Sequence, residues 1–371
     1  MPQQTVGVGI IGATGYIGSA YRRELRDCSN ARIVAIAARR EGLLEEAKLL
    51  DDAQLATNDW QAVIEHRSVD LVIVATPDAF HREAVLHCAK NGKHIFCEKP
   101  LGINLAEAQE IALAYEKSGL FEFVPFWTRY APPLVKAKQI VQSGRLGEIR
   151  AMVYRWHNPR PANVPMTWRD NALISGGGSL ADVGSHAYDT IRWLTGYDAK
   201  SVLVHSEIST SQRMSLGEIN LSEALSTESP AGNKYSKVTA PDYGNIAVRF
   251  NNETCGAVMV SHATFLRKGL CPELELHGSA ASLAVNRVSG EISIAEGQQK
   301  LVQLDCIPDA PCNRFETHVL PALCSHNSSG QQSMHPNLND GVQVQRFIDS
   351  SLESAESGRW VELAQEMRAE E

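Results

Sequence analysis

Over the first third of the chain, short aliphatic runs alternate with segments whose apolar residues recur at helical spacing. TVGVGII predicts a first strand, Tyr16 to Arg26 a helix, ARIVAIAA a second strand, and LVIVAT a buried strand before a helix around His81 to Asn91. KHIFCE and FEFVPF predict two more strands, with a helix over Leu105 to Ser118 between them. Regular alternation of strand and helix implies a parallel sheet with right-handed crossovers, so residues 1–125 are expected to form an α/β domain.

From about residue 149 the pattern changes. IRAMVYRW, SVLVHSE, NIAVRF, CGAVMVSHAT and ELELHG are β-rich, and FNNETCG between two of them predicts a hairpin turn. One helix, Leu180 to Leu194, interrupts this run, with three glycines before it and Gly196 after it. Residues 126–371 are therefore expected to be an α+β domain with a large, open, mostly antiparallel sheet. Ser209 to Tyr235 is polar, rich in Ser and Glu and weakly periodic, and is expected to be a long excursion or loop.

Composition narrows the function. Of 371 residues, 43% are hydrophobic and 21% charged, the make-up of a globular protein with a large core. With 35 Lys+Arg against 43 Asp+Glu the net charge is −8, which leaves no electrostatic footprint for nucleic acid. No aliphatic run approaches the roughly 20 residues of a membrane span. The amino terminus lacks the basic and small-residue features of a secretory signal, so no membrane partner and a cytoplasmic location are expected. Eight cysteines form no CxxC pair and no disulfide framework is expected. Cys306, Cys312 and Cys324 with His318 and His326 fit no common zinc spacing, and no metal is expected.

Gly12, Gly15 and Gly18 lie between the first strand and the first helix, where glycine lets backbone approach a pyrophosphate at a helix amino terminus. This context predicts a dinucleotide-binding Rossmann domain. The spacing is GxxGxxG, with Thr14 in place of the usual middle glycine, and room for the pyrophosphate remains if Gly15 takes the left-handed turn. The second strand ends Ala37, Ala38, Arg39, Arg40. With no carboxylate to repel a 2'-phosphate and two guanidiniums to pair with it, NADP(H) is favoured and NAD(H) is possible.

Glu98-Lys99-Pro100 follows the strand KHIFC, at the carboxyl end where such sheets place ligands. Asp182 and His186 are four apart, so on a helix a carboxylate and an imidazole face the same small volume. Carboxylate, imidazole and ammonium are the groups that acid/base chemistry near neutral pH requires.

GIIGATGYIG, ATPDAFHREAVLHCAKNGKHIFCEKPLG and GGGSLADVGSHAYDTIRWLTG together resemble the glucose-fructose oxidoreductase, inositol dehydrogenase and MocA-type family, with spacing that fits nearly the whole chain. The resemblance implies an active site in the cleft between a Rossmann domain and the sheet domain. It implies that Lys99 contacts the nicotinamide ribose and a substrate hydroxyl, that Asp182 orients substrate, and that His186 is the acid/base. It further implies that the cofactor is lined by Gly12, Thr14, Gly15, Tyr16, Ile17, Ala38, Arg39, Arg40, Ala75, Thr76, Pro77, His81, Glu98, Lys99 and Arg129. Where the family often has Asn, two residues before Arg129, this chain has Trp127. Tyr154, Arg155, Trp156, His157, Trp168 and Arg169 are expected to supply a sugar-facing wall, with Trp156 and Arg169 foremost.

The implied activity is hydride transfer between a nicotinamide and a secondary alcohol or carbonyl carbon of a small sugar or polyol, in a homodimer or homotetramer. Two other readings stay open on the same fold. One is an NAD-dependent glycosidase acting by transient oxidation, and the other a non-catalytic regulator that senses the dinucleotide.

Overall fold

In the computed structural model, which describes residues 5–217, 219–227, 234–329 and 335–363, β1 (Val6–Ile11) is aliphatic along its length and almost wholly buried. A strand covered on both faces is what a parallel sheet demands, and the all-apolar run supplies it. Next come α1 (Tyr16–Arg26), β2 (Ala31–Ala37), α2 (Glu41–Asp51), β3 (Leu55–Thr57), α3 (Trp60–Glu65) and β4 (Leu71–Val74). The series continues through α4 (His81–Lys90), β5 (His94–Cys97), α5 (Leu105–Glu116) and β6 (Glu122–Phe123). These six strands form one sheet in the order β3-β2-β1-β4-β5-β6, every pair parallel. Order reverses between β1, which follows β2 across the sheet, and β4, which puts the β1–α1 turn at the switch point where α/β sheets bind ligands.

The second sheet begins after α6 (Pro132–Gln142) with β7 (Ile149–His157). After α7 (Ala172–Ser175), α8 (Ser179–Thr195) and β8 (Ala199–Glu207), the excursion holds β9 (Gln212–Met214), α9 (Leu221–Ser226) and β10 (Tyr235–Lys237). The sheet resumes with β11 (Tyr243–Phe250), β12 (Cys255–Ser261), β13 (Leu274–Gly278), β14 (Ala281–Asn286), β15 (Glu291–Glu296) and β16 (Val302–Cys306). Beyond it lie α10 (Leu320–Ser329), α11 (Leu338–Ser357) and β17 (Val361–Glu362). Nine strands run in the order β16-β15-β14-β13-β7-β12-β11-β8-β17. All pairs are antiparallel except β7 with β12, so the sheet is mixed. β7 and β14 alternate buried with more exposed positions, as one-sided packing requires. The hairpin expected at FNNETCG joins β11 to β12.

The chain divides into two compact units between Pro125 and Phe126, but Gly217–Thr227 and Pro311–Val342 belong to the first unit. The sequence reading assigned both segments to 126–371. They join the first unit through long-range pairing that local periodicity does not encode. Arg314 Nε donates to Glu24 at 2.9 Å, Phe315 packs edge-on to Tyr21 at 5.3 Å, and the Val124 N–H donates to Pro336 O at 3.0 Å. The excursion is thus not a plain loop, although Glu218 and 228–233 within it lie outside the described residues. Among the described residues, no helix is long and apolar enough to cross a membrane.

Candidate active site

The residues singled out from sequence fall in two groups, one in each unit. In the first unit, the β1–α1 turn takes its left-handed residue at Gly12 (φ +86°), whereas Gly15 is extended at φ −71° and caps α1. This corrects the expectation for Gly15. A Cβ on Gly12 would lie 2.4 Å from the Ala75 carbonyl oxygen, so only glycine fits between β1 and β4 here. No side chain caps α1 and its first turn carries no acidic residue, which leaves the N–H groups and positive dipole end at Tyr16 and Ile17 suited to an anion. The turn therefore fits a dinucleotide pyrophosphate. Thr14 is buried, Tyr16 is exposed, and Thr76 and Pro77 are partly accessible beyond β4.

His81, grouped with the cofactor-lining residues, is fully buried. Its Nδ1 lies 2.9 Å from Pro100 O and its Nε2 2.9 Å from Thr76 O, tying the β4–α4 loop to the Glu98-Lys99-Pro100 motif. Burial, opposed by these carbonyls and aided by Lys99, holds the ring below the usual histidine range. The Lys99–Pro100 peptide is cis. Glu98 accepts from the Tyr21 hydroxyl and, at 3.2 Å, from the Lys99 N–H; burial raises its carboxyl above the usual range. Glu98 thus anchors the motif on the sheet, leaving Lys99 partly accessible.

In the second unit, Asp182 sits in the first turn of α8, where a carboxylate complements the helix dipole. Three groups converge on its Oδ2. Arg160 Nη2 donates at 3.3 Å, and Arg169 Nε and His262 Nε2 lie 3.3 and 3.2 Å away. Burial, reinforced by Arg169, brings the Arg160 guanidinium down to about 10, so it remains cationic at neutral pH. Burial and the neighbouring Arg160 pull His262 down to about 4, which makes it a neutral partner of Asp182.

His186 follows one turn further along α8, with its ring stacked on Trp156 at 5.1 Å and 19° and edge-on to Phe126 at 6.4 Å. Trp156 also lies under the Arg287 guanidinium at 4.4 Å, so it orients the imidazole as well as bounding the site. The expected wall divides. Arg169 reaches Asp182 and stacks on Trp168 at 4.3 Å, but Tyr154 is core and Arg155 is paired with Glu275 at 2.6 Å. Arg129, expected at the cofactor, is buried and donates to both carboxylate oxygens of Asp189 at 2.9 and 2.5 Å. Its described role is this internal ion pair.

Sequence reasoning missed Arg160 and His262. Arg160 lies three residues beyond β7 and His262 one beyond β12, the single parallel pair of this sheet among the described residues. The two ends are joined by the Arg160 N–H donating to His262 O at 2.9 Å. A histidine closing the apolar run CGAVMVS was the available signal, but the β7–β12 pairing was not readable locally. The segment between Arg160 and Asp170 is held by Arg213 of β9, which is 1% exposed. Its Nη1 donates to Pro161 O at 2.9 Å and Val164 O at 3.0 Å, and its Nε lies 3.2 Å from Asp170 Oδ1.

Two family models match the chain. The one described as "Oxidoreductase family, NAD-binding Rossmann fold" covers residues 6–126, and the GFO/IDH/MocA C-terminal domain covers 134–284. A levoglucosan dehydrogenase of Pseudarthrobacter phenanthrenivorans is 26% identical over 98% of this chain and 99% of its own. A myo-inositol 2-dehydrogenase of Thermotoga maritima is 34% identical over 54% of this chain and 60% of its own. In fold, the chain superposes on a levoglucosan dehydrogenase in complex with NADH, with a TM-score of 0.82 at 23% identity over 98% of this chain and 100% of that one. With both models in chain order and the β1–α1 turn, Glu98-Lys99-Pro100 and the Asp182–His186 pair within their spans, the chain belongs to the GFO/IDH/MocA family of oxidoreductases with an NAD-binding Rossmann domain.

Proposed function

We propose that the protein is a nicotinamide-dependent dehydrogenase acting on a secondary alcohol or carbonyl carbon of a sugar or polyol. The observation that carries this reading is the α8 arrangement, a carboxylate that accepts from Arg160 and has Arg169 and His262 within 3.3 Å, with an imidazole one turn beyond it, stacked on an indole. Such a pair can hold a polyhydroxylated substrate and move one of its protons, which a dinucleotide-binding turn alone cannot do. The dinucleotide would be held at Gly12, Gly15 and the first turn of α1, with Ala75 to Pro77 beside it. When bound it supplies a two-electron acceptor or donor at the nicotinamide C4.

The chain supplies the rest. In oxidation His186 accepts the hydroxyl proton, the Lys99 ammonium stabilises the negative charge that develops on that oxygen, and Asp182 accepts from a neighbouring hydroxyl. Reduction reverses each role. Arg160, Arg169 and His262 keep the Asp182 carboxylate in one orientation, so the substrate meets a pre-set acceptor. Preference between the two dinucleotides turns on the residues after β2. Arg39 and Arg40 favour a 2'-phosphate and hence NADP(H), while a carboxylate on Arg40, described below, weighs the other way.

The test is to incubate purified protein with NAD(H) or NADP(H) and a panel of aldoses, anhydrosugars, inositols and glycosides, following nicotinamide absorbance and sugar products together. Stoichiometric change of both with one sugar class is expected. Glycoside cleavage at constant nicotinamide would replace the reading with a redox-assisted glycosidase, and tight dinucleotide binding with both channels silent would favour a regulator.

A further inference from the structure

We propose that Glu223 sets the protein's choice between a free and a 2'-phosphorylated adenosine ribose, by occupying Arg40. The inference rests on the dinucleotide-binding reading above. Arg40 stands three residues beyond β2, at the amino end of α2, where Rossmann domains meet the adenosine ribose. No carboxylate ends β2 itself. Instead one arrives from α9, 183 residues further along the chain: Arg40 Nη1 donates to Glu223 Oε1 at 2.8 Å and to Oε2 at 2.9 Å. The two side chains are 30% and 36% exposed, so the pair lies where a ligand can reach it.

An isolated surface ion pair would carry little weight. This one is prearranged on the carboxylate side. Asn220 and Glu223 form a reciprocal capping box, in which the Glu223 N–H donates to Asn220 Oδ1 at 3.0 Å and the Asn220 N–H donates to Glu223 Oε2 at 2.7 Å. The box holds the carboxylate facing Arg40 before any ligand arrives. A 2'-phosphate approaching Arg40 must displace that carboxylate and is repelled by it, whereas a ribose with free hydroxyls brings no opposing charge and finds an acceptor. The expected outcome is that NAD(H) binds at least as tightly as NADP(H), although two arginines follow β2.

Equilibrium titration of NADH and NADPH by fluorescence, which needs no substrate, tests this in the wild type, Glu223→Gln, Arg40→Ala and the double variant. Glutamine can still reach the Asn220 N–H, so α9 keeps its cap, and circular dichroism checks the fold. Glu223→Gln should tighten NADPH by about tenfold or more and change NADH by less than about threefold. Arg40→Ala should scarcely affect NADPH in the wild type and should cancel the gain in the Glu223→Gln background. An unchanged NADPH-to-NADH affinity ratio in Glu223→Gln, or a loss of about tenfold in NADPH affinity from Arg40→Ala alone, overturns the inference. Failure of the wild type to bind either dinucleotide overturns the underlying reading as well.

Discussion

The β1–α1 turn and the Asp182 cluster are both built to receive polar ligands, by opposite means. The turn works through backbone: N–H groups, a helix end and the absence of a Cβ at Gly12, within a few consecutive residues. The cluster works through side chains from four places in the chain, Arg160, Arg169, Asp182 and His262, held by charge in a buried setting. The first should therefore fail on steric change and tolerate charge change, and the second the reverse. A common ligand class does not impose a common construction.

The largest expected effect probes the chemical groups themselves. Lys99→Ala and His186→Ala should each lower turnover by about two to four orders of magnitude while dinucleotide affinity changes little. Steady-state kinetics beside a dinucleotide titration separates the two, and undiminished turnover in either variant removes that residue from the mechanism. Next comes the charge-built second unit. Arg129→Ala leaves Asp189 buried without its bidentate partner and should cost about 3–5 kcal/mol in urea unfolding. A loss below about 1 kcal/mol would mean that charge is not what holds this region.

A steric test of the turn is smaller in stability but selective. Gly12→Ala forces a Cβ to within 2.4 Å of Ala75 O at a positive φ, with an expected cost of roughly 1–3 kcal/mol and loss of dinucleotide binding. Binding at wild-type strength would show that the turn is not the dinucleotide site.

The smallest effect is a pH dependence. His262 has its folded pKa depressed to about 4 from an ordinary 6.5. The unfolded chain therefore takes up a proton that the folded one refuses. Stability from this group is complete above about pH 6.5 and is lost as pH falls towards 4, by roughly 2 kcal/mol between pH 7 and 5. The difference in unfolding free energy between wild type and His262→Gln, followed over that range, should show this slope. A difference independent of pH would place the imidazole in a less buried or more strongly paired state.

Much of the first unit was legible because its rules are local. An all-apolar strand, glycines at a turn and a helix with no acidic first turn can be read from a few adjacent residues. α8 was legible for the same reason: the i, i+4 spacing puts Asp182 and His186 on one face without knowledge of anything else. Arg160 and His262 were not, because they meet only through the parallel pairing of β7 with β12, where Val260 lies opposite Trp156 and Ser261 opposite His157. The HNPRP segment that follows Trp156 gives no period by which to align the two strands. Glu223 was hidden for a related reason. A weakly periodic, polar stretch reads as loop, and nothing in it announces that its carboxylate belongs with an arginine at the end of β2.

Arg213 bears on how this scaffold can be re-engineered. Its guanidinium fastens the 161–170 segment by two carbonyls and the Asp170 carboxylate, yet it is encoded on β9, more than forty residues later. Transplanting a relative's 158–170 loop to alter substrate scope would leave a buried cation facing the wrong acceptors. The transferable module is the loop together with 212–214, and libraries that vary both segments jointly should retain far more folded members than libraries that vary either alone.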